Sequence, residues 1–227
     1  MDLETLKQRA AEAAVGYVHS GMRLGLGTGT TTRWAVERIG ALLAAGELED
    51  VVGVPTSRAT EALMRQVGIP VVELDERGVD LAIDGADEIA PDLTLVKGHG
   101  GALLREKIVE AAAGRFIVIA DHTKRVHVIG EKKAVPIEIA RFGWRRTVSR
   151  IEALGARCTV RLDGHQEPAL SDNGNLLVDA HFGPIGDPRG LEQQLLALPG
   201  VFEVGLFIGM ADLAIVAGPD GRLEELS

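Results

Sequence analysis

The chain has 227 residues, of which 46% are hydrophobic and 25% are charged, so its composition excludes an intrinsically disordered protein. A formal net charge of −9 disfavours a nucleic-acid-binding protein, which would present a basic face, but a few local cations could still hold an anionic small molecule. The length allows one large α/β domain, or a main domain with a small insert.

The first 130 residues alternate helix-like and strand-like segments, beginning with a helix whose apolar residues run from Leu3 to Tyr17. This alternation predicts a parallel sheet covered by helices, the architecture of a Rossmann-like domain. The predicted strands are 22–26, 51–54, 71–74, 81–83, 93–96 and 116–120. The predicted helices include 35–43, one capped by Thr56 or Ser57 that runs to Val67, and 102–113.

The pattern changes near Gly130, where strands and helices follow the order βαββαβ of a ferredoxin-like unit. Asp172-Asn-Gly-Asn175 is a hairpin signal between the two middle strands. A last strand, 213–217, is predicted to return to the first sheet. We therefore predict a Rossmann-like catalytic domain of residues 1–130 and 208–227 with an inserted ferredoxin-like α+β domain of residues 131–207. The predicted elements of the insert are the strands 135–139, 156–162, 176–180 and 202–207 and the helices 144–154 and 191–198.

Polar residues follow four of the predicted strands of the first domain. Ligands of open parallel sheets bind beyond the carboxyl ends of the strands, so these turns predict a site on one rim of the sheet. The turns are Gly25-Leu-Gly-Thr-Gly-Thr-Thr-Thr32, Asp84-Gly-Ala-Asp-Glu88, Lys97-Gly-His-Gly-Gly101 and Asp121-His-Thr-Lys124.

The first turn is not a dinucleotide fingerprint, because Thr30 stands where G-x-G-x-x-G requires its third glycine. A Walker loop is excluded as well, since no Gly-Lys-Ser/Thr follows. Two interpretations remain open: a single-phosphate loop at a helix N-terminus, or simply a capped helix after a tight turn.

The acidic residues of the predicted rim also leave alternatives open. Asp84 and Asp87 could form an Asx-type turn, or they could hold magnesium together with Glu106, although Lys97 and Lys124 on the same rim would repel a metal ion. Helical periodicity groups Leu104 with other apolar residues and turns Glu106 toward solvent.

Taken together, four motifs in series resemble those of the type A ribose-5-phosphate isomerases. They are Gly27-Thr-Gly-Thr-Thr31, Asp84-Gly-Ala-Asp-Glu88, Lys97-Gly-His-Gly-Gly-Ala-Leu-Leu-Arg-Glu-Lys107 and Ala120-Asp-His-Thr-Lys124. The resemblance covers essentially the whole chain. It implies interconversion of D-ribose 5-phosphate and D-ribulose 5-phosphate, a step of the pentose phosphate pathway, with no metal and no organic cofactor.

The resemblance also implies roles for individual residues. Glu106 resembles the family's general base, and a carboxylate can move a proton between C1 and C2 reversibly if it is desolvated. Lys97 with the glycine amides could stabilise the enediolate, and Asp84 or Asp87 could assist opening of the sugar ring. Lys7 is a weak further match to a phosphate contact. The implied substrate-binding residues are Thr28, Gly29, Thr30, Thr31, Asp84, Gly85, Ala86, Asp87, Lys97, Gly98, His99, Gly100 and Lys124.

One residue departs from the family pattern. His99 stands where the family's loop usually has glycine, which would be unfavourable by about 1 kcal/mol if the position needs a positive φ. Related α/β folds keep two other functions open: a sugar-phosphate deaminase or CoA-transferase-like enzyme, and a non-catalytic phosphosugar sensor.

The sequence also bears on partners and location. Cys158 is the only cysteine, so no intrachain disulfide can form, and a cytoplasmic protein is expected. The most apolar stretch, 204–216, is interrupted by Asp212 and is too short for a membrane span. We expect a small sugar phosphate as the ligand, neither nucleic acid nor membrane as a partner, and a homodimer or homotetramer.

Overall fold

A computed structural model describes residues 1–227, which divide into two compact units. Unit 1 comprises Met1–Ala86, Arg105–Lys124 and Gly209–Ser227, and unit 2 comprises Asp87–Leu104 and Arg125–Ile208. The α-helices are α1 (Leu3–Val15), α2 (Thr30–Ala44), α3 (Arg58–Gln66), α4 (Leu103–Ala111), α5 (Trp144–Glu152) and α6 (Pro188–Leu196). The strands are β1 (Arg23–Leu26), β2 (Val52–Pro55), β3 (Leu81–Gly85), β4 (Glu88–Ile89), β5 (Leu95–Val96), β6 (Phe116–Asp121), β7 (Val135–Ile139), β8 (Arg157–Val160), β9 (Leu176–His181), β10 (Val201–Val204), β11 (Leu206–Phe207), β12 (Leu213–Ala217) and β13 (Leu223–Leu226).

Unit 1 is built on a six-stranded sheet in the order β13-β12-β6-β3-β1-β2. All neighbouring strands are parallel except β13, which runs antiparallel to β12. The strands β6 and β12 are buried along their whole length, as expected for parallel strands covered on both faces. The predicted α/β class and parallel central sheet are confirmed.

The main core of unit 1 lies where α1 and α2 pack on this sheet. Leu6 and Ala10 of α1 and Ile39 of α2 are fully buried against Ile83 and Ile215 of the strands. Asp2 caps α1 by accepting a hydrogen bond from the Thr5 amide, and Ser57 caps α3 in the same way through Thr60.

Unit 2 contains a four-stranded antiparallel sheet in the order β10-β7-β9-β8, with α5 and α6 packed against it. This is the strand order expected of the predicted split βαβ unit. A separate three-stranded antiparallel sheet, β11-β5-β4, belongs to the same unit.

Three predicted strands differ from those observed. Residues 71–74 form only a bridge from Val71 to Gly53, and the carbonyl of Glu73 instead accepts a hydrogen bond from the Arg23 guanidinium. The predicted strand 93–96 contains β5, which pairs with β4 and β11 rather than joining the parallel sheet. The turn at Lys97 therefore follows a strand of unit 2, and only three of the four polar turns follow strands of the parallel sheet.

The predicted strand 202–207 is divided at Gly205 between two sheets. The Gly205 amide donates to the Pro136 carbonyl at 2.7 Å, and its own carbonyl accepts from the Lys97 amide at 3.0 Å. A Cβ at Gly205 would lie 2.2 Å from the Lys97 carbonyl oxygen, so only glycine fits this crossing. Close backbone approach thus explains why one apolar run forms both β10 and β11.

The limits of the two units differ from the predicted domain limits of 130/131 and 207/208. Residues 87–104 and 125–130 lie in unit 2, where the buried Glu88 carboxylate accepts hydrogen bonds from the amides of Gly130, Lys132 and Lys133. No helix combines the length and the apolar character that crossing a membrane would need.

Candidate active site

The turn after β1 is held by the carboxylate of Asp84, at the end of the neighbouring strand β3. Asp84 is 1% exposed, and its Oδ1 accepts hydrogen bonds from the Thr28 amide at 3.1 Å, the Thr32 hydroxyl at 3.0 Å and the Gly85 amide at 2.6 Å. A Cβ at Gly27 would lie 1.8 Å from Asp84 Cγ, so the carboxylate occupies the space that glycine leaves. The Asp84 side chain therefore fixes the shape of this turn.

The position of this turn in the sheet matters for ligand binding. From β1 the chain crosses to β2 on one side, and β3 then lies on the other side of β1. The turn and Asp84 consequently stand at the point where the strand order reverses, which is where open α/β sheets bind their ligands.

A cluster of hydroxyl groups from the end of β2 and the start of α3 contacts the same turn. The Thr28 hydroxyl contacts those of Thr56 and Ser57 at 2.8 Å and that of Thr60 at 3.2 Å, and Thr60 donates to the Gly27 carbonyl at 2.7 Å. Ser57 and Thr60 were not predicted as part of the site. The Ser57 cap signal predicts a helix start, whereas the contact with Thr28 depends on the pairing of β1 with β2.

Helix α2 begins at Thr30 directly after Gly29, whose φ of 134° suits glycine, and no side chain caps this end. The Lys7 ammonium donates to the Thr30 hydroxyl at 3.1 Å and pairs with Glu4 at 2.7 Å. A helix N-terminus with hydroxyls and an adjacent cation is a suitable environment for an anion. A cavity of about 570 Å³ touches Thr28, Gly29 and Thr30, but none of the predicted carboxylates lines it.

Glu106 lies in the first turns of α4 and is 2% exposed, which corrects its prediction as a solvated residue. The buried face of α4 carries Leu103, Glu106, Val109 and Glu110, whereas Ile108 is exposed. Val109 packs in the space above Gly25, where a Cβ would come within 2.6 Å of its Cγ1. The helix therefore turns its acidic side inward, opposite to the face that periodicity favoured.

The predicted loop from Lys97 to Gly101 lies in unit 2, together with Asp87. Lys97 is 2% exposed, with its ammonium 5.3 Å from the centre of the Phe207 ring. Asp87 Oδ2 accepts from the His99 amide at 3.0 Å, and a His99 ring nitrogen lies 3.1 Å from the Ala134 carbonyl oxygen.

The positive φ values in this loop belong to Gly98, at 104°, and Gly101, at 84°, and not to His99. The condition under which histidine would be unfavourable there is therefore not met. Gly98 is buried, and His99 and Gly100 are exposed.

The remaining predicted site residues lie after β6, within α2 and at the end of β3. Lys124 ends a 3₁₀ turn after β6 and is half-buried, and Asp121 fixes that turn by accepting hydrogen bonds from the Thr123 amide and hydroxyl. Thr31 is buried within α2, and Gly85 and Ala86 follow Asp84 at the end of β3. The structure brings Thr28 and Asp84 into direct contact in unit 1, and it brings Asp87 and His99 into direct contact in unit 2.

A metal site and a reactive thiol are two other chemistries that acidic residues and a cysteine can support. No group of three or more His, Cys, Asp or Glu side chains is arranged to hold a metal ion. Burial raises the pKa of the Cys158 thiol to about 11, and the negative charge of the nearby Glu152 carboxylate is a second, smaller cause. The thiol is therefore protonated at neutral pH, which disfavours a nucleophilic cysteine.

The chain matches the family model of ribose 5-phosphate isomerase A (phosphoriboisomerase A) over residues 52–221. It is 53% identical over 224 residues to ribose-5-phosphate isomerase A of Deinococcus radiodurans, covering 99% of each chain. It is 50% identical over 225 residues to the protein of that name from Roseiflexus castenholzii, covering 99% of this chain and 96% of the relative.

Solved structures agree with these relatives. A D-ribose-5-phosphate isomerase in complex with phospho-erythronic acid superposes with a TM-score of 0.97 at 39% identity, covering all of both chains. Ribose 5-phosphate isomerase from Plasmodium falciparum superposes with a TM-score of 0.96 at 37% identity, covering 99% of each chain. Since the family model spans more than half of the sequence and relatives are about half identical along its whole length, this chain belongs to the ribose-5-phosphate isomerase A family and is an isomerase.

Proposed function

We propose that this isomerase interconverts D-ribose 5-phosphate and D-ribulose 5-phosphate by moving a proton between C1 and C2, with Glu106 as the base. The observation that carries the proposal is the burial of Glu106 at the start of α4, in a family whose members are named for this reaction. Burial desolvates this carboxylate, as a base for the proposed proton transfer requires. Glu110 is buried on the same face, and the match to the family motif is what distinguishes Glu106 from it.

Phosphate binding is assigned to the N-terminus of α2. Backbone amides of the Gly29 turn, the Thr30 and Thr31 hydroxyls and the Lys7 ammonium supply hydrogen-bond donors and positive charge there. Because the phosphate is remote from the reacting carbons, these contacts would orient the substrate without taking part in the proton transfer.

The chemical step needs two further groups. The enediolate formed after proton removal carries negative charge on its oxygens, and Lys97 with the amides of its glycine loop supplies positive charge and N–H donors. A second carboxylate, from Asp84 or Asp87, assists the opening of the furanose ring. These assignments rest on the family motifs that the residues match.

Lys124 is assigned to the phosphate end of the substrate. Lys124→Ala is expected to raise KM for ribose 5-phosphate by roughly tenfold, with kcat reduced less, because the lost charge acts on a group that does not change during the reaction. Steady-state kinetics of the variant would measure this, with Lys107→Ala as a control on α4. An unchanged KM would remove Lys124 from the phosphate site.

A coupled assay of ribose 5-phosphate conversion in the presence of EDTA tests the proposed function directly. We expect full activity with the chelator, since the proposed steps use only side chains and backbone amides. No conversion at all, or loss of activity that added Mg²⁺ restores, would contradict the proposal. Release of ammonia from an amino-sugar phosphate would instead support a deaminase.

We also propose that the chain self-associates, as a homodimer or homotetramer. Unit 2 exposes several large apolar side chains, including Phe142 at 97% and Phe202 at 50%. Light scattering of the purified protein would give its mass in solution, and a monomer at micromolar concentration would contradict the proposal.

A cytoplasmic location is proposed from the lone, half-buried Cys158, and cell fractionation would test it.

A further inference from the structure

The loop from Lys97 to Gly101 has a backbone shape that two glycines make possible. Gly98 and Gly101 have φ values of 104° and 84°, and the Gly101 amide donates to the Gly98 carbonyl at 2.9 Å. Glycine permits this conformation but does not enforce it, because glycine also visits many others. Something else must therefore select the direction in which the peptide groups of the loop point.

The Asp87 carboxylate, which accepts from the His99 amide, contributes to that selection, and an arginine outside the family motifs completes it. Arg161 donates from Nη1 to the Gly98 carbonyl at 3.0 Å and to the His99 carbonyl at 3.1 Å. The two carbonyls belong to consecutive residues, so one guanidinium nitrogen holds two adjacent peptide groups in a single orientation. Neither peptide can turn over without losing its hydrogen bond to a charged donor.

Arg161 is itself held by Asp179. Its Nε donates to Asp179 Oδ2 at 2.9 Å and its Nη2 donates to Oδ1 at 2.6 Å, which is a bidentate pair. The two side chains are 16% and 21% exposed, so solvent competes weakly for them. A bidentate carboxylate fixes the plane of the guanidinium and hence the direction of Nη1.

The sheet of unit 2 explains why these residues meet. Arg161 follows β8, and its amide donates to the Leu177 carbonyl of β9, which places Arg161 diagonally across from Asp179 on the same face of the sheet. Leu177 on that face would lie 3.1 Å from a Cβ at Gly101, and Pro136 of β7 would lie 3.3 Å from a Cβ at Gly98. The loop therefore lies against this face, with the ion pair at its edge.

We propose that Arg161, oriented by Asp179, is a positioning residue of the isomerase reaction. It keeps the His99 carbonyl turned toward its guanidinium, so that the Gly100 amide of the same peptide group points the other way and donates to the negative charge of the enediolate. The neighbouring His99 amide is already bound to Asp87. The inference rests on the proposed function, in which this loop stabilises that charge. The positive charge of Arg161 does not contact the substrate in this role.

Kinetics of Arg161→Ala test the proposal. We expect kcat to fall about 30-fold or more, while KM changes less than about threefold, because the loop acts on charge that develops during the reaction. Inhibition by phospho-erythronic acid, whose carboxylate carries charge near the position of the enediolate, is expected to weaken in parallel with kcat. Inhibition by inorganic phosphate, which engages only the phosphate end, is expected to stay unchanged.

Further variants separate positioning from folding. Arg157→Ala, an exposed arginine of β8, serves as the matched control and should retain full activity. Arg161→Lys and Asp179→Asn keep most of the side-chain volume. We expect kcat to fall in both variants, by a smaller factor than in Arg161→Ala. They supply the test if Arg161→Ala does not fold, as judged by circular dichroism.

Several results would overturn the inference. A kcat within twofold of wild type in folded Arg161→Ala, or equal weakening of both inhibitors, would show that Arg161 does not act through the loop. Those results would leave the proposed function intact, since the wild-type protein would still convert ribose 5-phosphate. A wild-type protein without that activity would overturn the function and this inference together.

Discussion

Glu106→Gln is expected to lower kcat by roughly three orders of magnitude, with KM for ribose 5-phosphate changed less than about threefold. Glutamine has nearly the same shape but cannot accept a proton at neutral pH, so the substrate should still bind while the transfer between C1 and C2 stops. Exchange of the substrate's C2 hydrogen with deuterated solvent, followed by NMR, would measure the proton-transfer step itself.

Glu110→Gln supplies the matched control for this prediction. Glu110 lies one helical turn further along α4 and is as deeply buried as Glu106, so the two variants perturb the helix similarly. We expect its kcat to stay within about tenfold of wild type. Near-normal turnover in Glu106→Gln, or equal losses in both variants, would remove Glu106 from the role of base.

Gly27→Ala is expected to reduce kcat by roughly 100-fold or more and to lower the free energy of unfolding by about 2–4 kcal/mol. The added methyl would come within 1.8 Å of Asp84 Cγ and 1.9 Å of its Oδ1. The carboxylate would have to move, and the Thr28 amide and Thr32 hydroxyl would lose their acceptor in a buried place.

The matched control for Gly27 is Gly186→Ala, at a glycine with no atom within 4 Å of the added Cβ and no positive φ. Chemical denaturation and steady-state kinetics of both variants would compare them. If Gly27→Ala matched wild type in stability and in kcat, Asp84 would not be what shapes this turn.

Much of unit 1 could be predicted from the sequence because its signals are local. Continuous apolar runs such as Phe116 to Ala120 mark buried parallel strands, and the chain order then places Thr28 and Asp84 at the same end of the sheet. Lys7 is harder to predict, because its contact with Thr30 joins residues of two different helices and leaves no periodic trace in either.

The face of α4 could not be predicted, and the reason is physical. Periodicity assumes that a helix buries its apolar side, whereas α4 buries Glu106 and Glu110 and exposes Ile108. Local pattern rules are expected to fail at functional positions, where stability is given up for chemistry. The family resemblance, and not the helical pattern, identified Glu106 as the candidate base.

The loop at Lys97 was misplaced for a different reason. A run such as Leu93 to Val96 has the same appearance whether its partners are parallel or antiparallel, and β5 finds its partner β11 about 110 residues further along the chain. The contacts of Arg161 with Gly98 and His99 likewise join distant segments, so no spacing rule could have linked them.

The order of strands in the central sheet has a consequence for how the chain folds. β6 and β12 are adjacent and parallel, yet about 90 residues separate them along the chain. If those residues are still unfolded, pairing the two strands closes a long loop. The entropic cost of closing it is about 2 kcal/mol greater than for a crossover of ~12 residues. During synthesis β6 emerges long before β12 can cover it, so the hydrogen-bonding edge of a half-built sheet stays open to other chains until the intervening segment has collapsed.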